Sequence, residues 1–247
     1  MVRIGIAGVP TQQILDAHIG DGSDVVDLDM PMDGVESFDA IEGLSPRVYC
    51  ATLKTIMVNA LVLKPEIIIA DVGEGKCDGM RFVVEALRDL LPNTEIITTR
   101  NTNAPPQGNP ISISCLPLME KMNRIVDSVI KDVDRDVKPC EPTAGFWGVP
   151  PRDFSILDLF PDTTHIFGWA RCMENKSPDS LEIEFQVNTE IPTVFFAQSF
   201  CQKTMLAKYL AQKHNGLFVD EDARLDASVR AKVVAFLTLR GALSHRA

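Results

Sequence analysis

The sequence predicts an α/β fold with mainly parallel sheets, built from two similar Rossmann-like or flavodoxin-like halves that are related by a pseudo-twofold internal duplication. Two observations lead to this prediction. Short runs rich in Val and Ile alternate with segments in which apolar residues recur every three or four positions, which is typical of βα units. The string Gly-x-x-Gly-Val-Pro, followed by Ile-Leu-Asp, occurs twice, at 5–16 and at 145–158.

The elements of the first half follow from local patterns. Runs of apolar and β-branched residues predict strands at 2–7, 23–29, 66–71 and 95–99. The third run is apolar on both faces, as expected for a central parallel strand. Helical periodicity predicts helices at 50–63, 77–90 and 115–133, and the apolar stripe of the last one indicates core packing. Segments rich in Pro, Gly, Asp and Asn predict loops at 30–47 and 100–112.

A charged and then Pro/Gly-rich stretch between 131 and 151 separates the two halves. It predicts an N-terminal α/β domain at 1–139 and a C-terminal one at 140–247. The second half repeats the order of the first. Its predicted elements are a helix at 153–160, strands at 164–169 and 193–198, a helix at 201–214, a strand at 217–220 and a helix at 226–243.

Composition and charge narrow the function classes. The chain has 247 residues, of which 45% are hydrophobic, and its formal charge is −10, which is typical of a globular domain and argues against nucleic-acid binding. No apolar run reaches the roughly 20 residues of a membrane helix. The N-terminus is unlike a signal peptide and is expected to be a buried strand. We therefore expect a cytoplasmic protein that binds neither nucleic acid nor membrane.

Four of the six cysteines follow the duplication. Cys50 and Cys77 come after the first copy of the doubled string, and Cys172 and Cys201 follow the second copy at nearly the same separation. In a reducing compartment, thiols more often bind metal, react or sit buried than form disulfides. Two half-sites with two thiols each predict a single four-thiol site.

The expected positions of these cysteines favour metal binding. Ligands of parallel sheets bind beyond the carboxyl ends of the strands, and a helix N-terminus there stabilises a thiolate. Thiolates bind zinc and iron–sulfur clusters. Because no Cys-x-x-Cys pair is present, a cubane-type or larger cluster is favoured over zinc or another single ion. Thiols that merely pack or react are the remaining alternative.

The other candidates are less specific. Cys115 and Cys140 have no counterparts in the repeat; Cys115 is expected to be a core or surface thiol, and Cys140 is an open candidate for an extra ligand. Arg171 is a candidate contact for an anionic substrate, with a surface ion pair as the alternative. His165 is expected to be a hydrogen-bonded core residue. The motifs of dinucleotide-binding loops, P-loops, nucleophile elbows and zincins are absent from the sequence.

Three segments of the first half resemble the cluster-binding subunits of the 2-hydroxyacyl-CoA dehydratase and benzoyl-CoA reductase family. They are Gly8-Val-Pro-Thr-Gln-Gln-Ile-Leu-Asp-Ala17, Arg47-Val-Tyr-Cys50 and Cys77-Asp-Gly-Met-Arg-Phe-Val-Val-Glu85. The resemblance implies two flavodoxin-like domains that hold a cubane or double-cubane cluster for low-potential electron transfer. It implies that Cys50 and Cys77 are cluster ligands, with Cys201 as a third.

We therefore expect an iron–sulfur protein of anaerobic metabolism, active in low-potential electron transfer or in cluster-dependent reduction of a small substrate. A reductase or dehydratase component is the enzyme class that fits. A metallocofactor assembly or carrier protein and a metal-free metabolite-binding protein are the alternatives. A redox or assembly protein is the expected partner, and a homo-oligomer is compatible with the sequence.

Overall fold

The computed structural model describes residues 1–32, 34–35, 38–45, 48–72, 77–102, 108–177, 180–221 and 224–243. The chain forms two compact units. The first unit comprises Met1–Pro106 and Lys176–Asp179, and the second comprises Gln107–Asn175 and Ser180–Ala247. The domain boundary expected at 139 thus lies within the sequence range of the second unit.

The first unit contains the predicted strands and helices, together with a helix after the first strand and a 3₁₀ helix that were not predicted. Its elements are β1 (Arg3–Ala7), α1 (Gln12–His18), β2 (Asp24–Asp27), a 3₁₀ helix (Asp39–Ile41), α2 (Ala51–Leu63), β3 (Ile67–Asp71), α3 (Asp78–Leu90) and β4 (Glu95–Thr99). All neighbouring strands are parallel, and the order across the sheet is β2-β1-β3-β4. The four strands and the helices α2 and α3 agree with the sequence prediction to within two residues at each end.

The second unit has the same sheet order with different details. Its elements are α4 (Leu118–Ile130), β5 (Ala144–Trp147), a 3₁₀ helix (Phe154–Leu159), β6 (Thr164–Phe167), α5 (Trp169–Glu174), α6 (Leu181–Glu184), β7 (Thr193–Ala197), α7 (Lys203–Lys213), β8 (Leu217–Asp220) and α8 (Ala227–Leu239). The parallel sheet has the order β6-β5-β7-β8. The predicted α/β fold class with two parallel sheets is therefore confirmed.

Three segments of the second unit differ from the sequence prediction. The segment around Gly145, predicted to be a loop, is the buried strand β5. It has only four residues, two of them small, so it lacks the β-branched run that predicts a strand. The helix expected at 153–160 is a 3₁₀ helix. The helix expected from Cys115 begins at Leu118, after Pro117 at the N-cap, because proline is tolerated only at the start of a helix.

The doubled string occupies equivalent places in the two units. Gly8 directly follows β1 and Gly148 directly follows β5, and each approaches the backbone of the neighbouring central strand. A Cβ atom on Gly8 would lie 3.3 Å from the Asp71 carbonyl oxygen, and one on Gly148 would lie 2.5 Å from that of Phe196. Glycine is thus required for close packing at the end of each central strand. The common topology agrees with an internal duplication, which itself stays a prediction.

Each unit has its own apolar core. In the first unit, α2 and α3 cover the sheet with buried side chains that include Ile56, Val83 and Leu87. In the second, Trp147 and Phe195 are fully buried and pack with residues of α7. Among the residues that the structure describes, no helix has both the length and the apolar character needed to cross a membrane.

Candidate functional site

In the first unit, Cys50 and Cys77 each stand immediately before a helix. Cys50 is the N-cap residue of α2 and Cys77 is the N-cap residue of α3, as the sequence predicted. Both helices have 13 residues, and neither thiol accepts a capping hydrogen bond from its helix. The positive end of a helix dipole stabilises a thiolate. Two thiols are therefore placed where negatively charged sulfur is favoured.

Tyr49 lies beside both of these cysteines. The three side chains pack against the same core cluster, beneath α2 and α3. Burial raises the pKa of the Tyr49 hydroxyl, and the charges of Cys77 and Cys50 raise it further. A phenol in this environment stays protonated at neutral pH, so it can donate a hydrogen bond to a nearby sulfur.

The glycine of the Cys-Asp-Gly element makes this packing possible. A Cβ atom built on Gly79 would lie 2.5 Å from Leu53 Cδ1, 3.4 Å from Tyr49 Oη and 3.5 Å from Cys77 Sγ. The bare backbone of Gly79 therefore lets the start of α3 approach the start of α2. Asp78 is the first residue of α3 and forms an exposed 3.8 Å ion pair with Arg81.

Two parts of the predicted site lie outside the described residues. One is Arg47 of the Arg-Val-Tyr-Cys segment, and the other is the turn at 73–76 between β3 and Cys77. Glu74, which precedes Cys77 in the sequence, belongs to that turn.

At the carboxyl edge of the first sheet, polar side chains connect the loops that follow the strands. Asp71 Oδ1 accepts a 3.0 Å hydrogen bond from the backbone N–H of Asn101, whose side-chain amide donates to the Val9 carbonyl at 2.8 Å. Asp29 Oδ2 accepts a 2.9 Å bond from the Gly8 N–H. Asp29, Asp71 and Asn101 were not among the predicted site residues. The only indication in the sequence is that each of them is a polar residue at or just after the end of an apolar strand.

Two polar atoms at this edge have no hydrogen-bond partner. In the part of the chain that the structure describes, the side-chain oxygens of Thr99 and Asn101 are buried without one. Asn101 is 0% exposed. Because unsatisfied buried polar atoms are uncommon in folded proteins, this edge has capacity for a further polar group.

Cys201 and Cys172 occupy different environments in the second unit. Cys201 is half-buried in the turn that leads into α7, one position before the N-cap Gln202. Its backbone N–H donates to the Gln198 carbonyl at 3.2 Å. Cys172 lies within α5 and is 0% exposed. The conditional expectation that a helix begins at Cys172 was wrong, because α5 begins at Trp169.

Arg171, the candidate for anion binding, is held inside the second unit. Its Nε donates to the Ile166 carbonyl at 2.7 Å, and its guanidinium lies 4.4 Å from the centroid of the Phe167 ring. Burial lowers the pKa of this guanidinium, while the charge of Glu174 raises it. The alternative expectation for Arg171, an ion pair at the surface, does not describe this largely buried side chain.

No three His, Cys, Asp or Glu side chains within the described ranges form a group that could hold a metal ion. Cys50 and Cys77 both lie near enough to Tyr49 for their charges to raise its pKa, and both pack against the same core cluster, an arrangement that fits a two-thiolate half-site. Cys172 fits less well, because its side chain is enclosed within the second unit. The assembly of all four thiols into one site stays a prediction.

The structure brings together two cysteines that the sequence left without partners. Cys115 and Cys140 are adjacent across an isolated antiparallel bridge between Ser114 and Pro139. The two cysteines are far apart in the sequence, and no rule based on residue spacing predicts that they meet. His165 Nε2 lies 2.9 Å from the Cys140 carbonyl oxygen, so the predicted hydrogen bond is present, but the ring is half-buried and not in the core.

Comparison with models of known protein families finds no match for this chain, and comparison with curated proteins finds none either. The resemblance to the dehydratase and reductase family therefore rests on the three segments of the first half alone.

Proposed function

We propose that this protein is an iron–sulfur protein of anaerobic cytoplasmic metabolism, which transfers low-potential electrons or reduces a small substrate. The observation that carries the proposal is the position of Cys50 and Cys77 at helix N-termini near Tyr49. Both are N-cap residues of long helices, and both pack with Tyr49 against the same core cluster. Cysteine thiolates are the usual ligands of iron–sulfur clusters.

The surroundings of this pair suit an anionic metal centre. The N-termini of α2 and α3 carry partial positive charge, which stabilises thiolates and a negatively charged cluster. The protonated Tyr49 hydroxyl is available to donate to a thiolate sulfur, and hydrogen bonds to sulfur tune cluster potentials. A bound cluster would supply one-electron transfer, while these residues hold and polarise it.

The remaining ligands come from the predicted set. Cys201 is the third ligand that the family resemblance implies, and its half-buried position before α7 resembles that of the first pair. Cys172 is the fourth predicted ligand and has the least support, because it is fully buried within α5. A cubane needs four ligands in total, so Cys172, a small molecule or a second copy of the chain would complete the set.

The test is cluster retention in protein purified without oxygen. We expect a brown protein with broad visible absorption and equal amounts of iron and acid-labile sulfide. Cys50→Ser and Cys77→Ser should each lose most of the iron, whereas Cys115→Ser, at an exposed position outside the set, should retain it. A colourless protein that also fails chemical reconstitution would overturn the proposal.

An assembly or carrier protein differs from an electron carrier in what happens to the metal. If the cluster stays bound through repeated cycles of reduction and oxidation, electron transfer or reductase chemistry is supported. If the cluster instead passes intact to an apo-acceptor protein, with iron leaving this chain stoichiometrically, the carrier function is the correct one.

A metal-free metabolite site is the second candidate, and a specific observation favours it. The unpaired oxygens of Thr99 and Asn101 lie at the carboxyl edge of the first sheet, where parallel sheets bind their ligands. Iron-free protein should then gain thermal stability with a nucleotide or acyl-CoA probe, and Asn101→Ala should abolish the gain. Equal melting temperatures with and without these probes would remove this candidate.

A further inference from the structure

Cys115 and Cys140 lie on either side of one short antiparallel bridge in the second unit. The bridge pairs Ser114 with Pro139 and belongs to neither sheet. Two backbone hydrogen bonds frame it, from the Cys115 N–H to the Lys138 carbonyl at 2.9 Å and from the Cys140 N–H to the Ile113 carbonyl at 3.1 Å. Each cysteine therefore follows one of the two paired residues.

The two thiols point back over the same bridge. Cys115 Sγ donates to the Pro139 carbonyl at 3.3 Å, and Cys140 Sγ donates to the Ser114 carbonyl at 3.1 Å. Each thiol thus bonds to the residue that precedes the other cysteine. Burial raises the pKa of the Cys140 thiol, and the interaction with the neighbouring Cys115 thiol raises it further. Their sulfur atoms are therefore within reach of each other.

A buried ammonium group stands next to this pair. Lys121 is fully enclosed, and its Nζ donates to the carbonyls of Asp162 at 2.8 Å and Thr164 at 2.6 Å. Burial lowers the pKa of Lys121 to about 8, while the charges of Cys140 and Cys115 act in the opposite direction. Lys121 is therefore mostly charged at neutral pH, and a nearby cation stabilises the thiolate form of a cysteine.

The two cysteines differ in their access to solvent. Cys115 is exposed, whereas Cys140 is partly buried. An exposed thiol next to a sheltered one is the arrangement of an attacking cysteine and a resolving cysteine. Structural packing does not account for it, since the exposed Cys115 adds little to a core.

We propose that Cys115 and Cys140 are a thiol–disulfide exchange pair that reduces small disulfides arriving from solvent and becomes a reversible intramolecular disulfide. Cys115 as the thiolate attacks one sulfur of the external disulfide, whose S–S bond breaks. A mixed disulfide forms on Cys115, and the first external thiolate leaves and takes up a proton.

Cys140, deprotonated in turn, then attacks the sulfur of Cys115. The mixed disulfide breaks, the second external thiolate leaves and is protonated, and the bond between Cys115 and Cys140 forms. Two electrons have passed from the two cysteines to the external disulfide, and two protons have moved to the released thiols. Because the bridge is isolated from both sheets, the two segments can adjust as the sulfurs approach the roughly 2 Å of a disulfide bond.

The experiment equilibrates the full-length protein without oxygen in buffers of reduced and oxidised glutathione. The protein is then unfolded in denaturant with a chelator, free thiols are alkylated, and the protein is digested without reductant for mass spectrometry. We expect one cross-linked species that joins the peptides of Cys115 and Cys140, with a reproducible midpoint and full reversal by dithiothreitol. The other four cysteines in the same digest should remain alkylated and serve as the internal control.

Single variants separate the two roles. Cys140→Ser should accumulate a glutathione adduct on Cys115, because the resolving thiol is missing. Cys115→Ser should form an adduct on Cys140 about tenfold more slowly, since that thiol is sheltered. Equal rates in the two variants, or a wild-type disulfide that maps to other cysteines or never forms, would overturn the proposal. Iron content, measured in parallel, reports separately on Cys50 and Cys77. The two proposals can therefore fail independently of one another.

Discussion

Gly79 lies so close to Leu53 that a Cβ atom on the glycine would be 2.5 Å from Leu53 Cδ1. This contact joins the first turn of α3 to the first turn of α2, next to Tyr49 and Cys77. The spacing of Cys50 and Cys77 in the first unit therefore depends on a residue that carries no side chain.

Replacing Gly79 with alanine should lower the free energy of unfolding by about 1 kcal/mol, because the added methyl group must displace the buried Leu53 side chain and the better helix propensity of alanine offsets part of that cost. Urea denaturation followed by circular dichroism measures this change. Gly20→Ala is the matched control, since a Cβ atom there meets nothing within 4 Å, and it should stay within about 0.5 kcal/mol of the wild type. In the Gly79→Ala/Leu53→Ala double variant, the loss in free energy of unfolding should be smaller than the sum of the two single losses. The smaller side chain at position 53 removes the clash. Full additivity would contradict this contact.

Asn101 holds two loops of the first unit through one amide. Its Nδ2 donates to the carbonyls of Val9 at 2.8 Å and Lys176 at 3.1 Å. Asn101→Ala leaves both acceptors without this donor, so the free energy of unfolding should fall by about 2–3 kcal/mol. Asn93→Ala, at an exposed position before β4, should be nearly neutral when measured in the same denaturation series. An equal effect in the two variants would show that the Asn101 amide has no special role.

Lys121 should make the stability of the protein depend on pH in the alkaline range. Its pKa is lowered from 10.5 to about 8 by burial, against the opposing charges of Cys140, Cys115 and Asp162. As the pH falls from 10.5 towards 8, the unfolded chain binds the proton before the folded one, so folding stability declines through that window. The stability of the wild type relative to Lys121→Met should therefore rise as the pH rises from about 8 to 10.5.

The matched control for this pH dependence is Lys131→Met, because Lys131 is exposed at the end of the same helix. Denaturant titrations at several pH values should show no comparable change for that variant. A flat difference between wild type and Lys121→Met across the window would show that the Lys121 ammonium is not destabilised by burial.

Much of the fold could be predicted from the sequence, because its signals are local. The apolar strand at 67–71 and the amphipathic helix at 78–90 depend on side chains a few positions apart, and the structure forms both. The same local patterns placed Cys50 and Cys77 at helix N-termini. β5 could not be predicted, because a four-residue strand with alanine and glycine becomes central only through its pairing with β6 and β7.

The sequence by itself determined the alternation of strands and helices, the parallel α/β class and the two cysteines that begin α2 and α3. The tertiary structure alone decided that Cys172 is enclosed, that Arg171 is held by its own unit, and that Cys115 meets Cys140 beside Lys121. The physical reason is the range of the interactions. Helix periodicity and capping act within a turn or two of chain, whereas burial and thiol contacts depend on segments that only the folded path brings together.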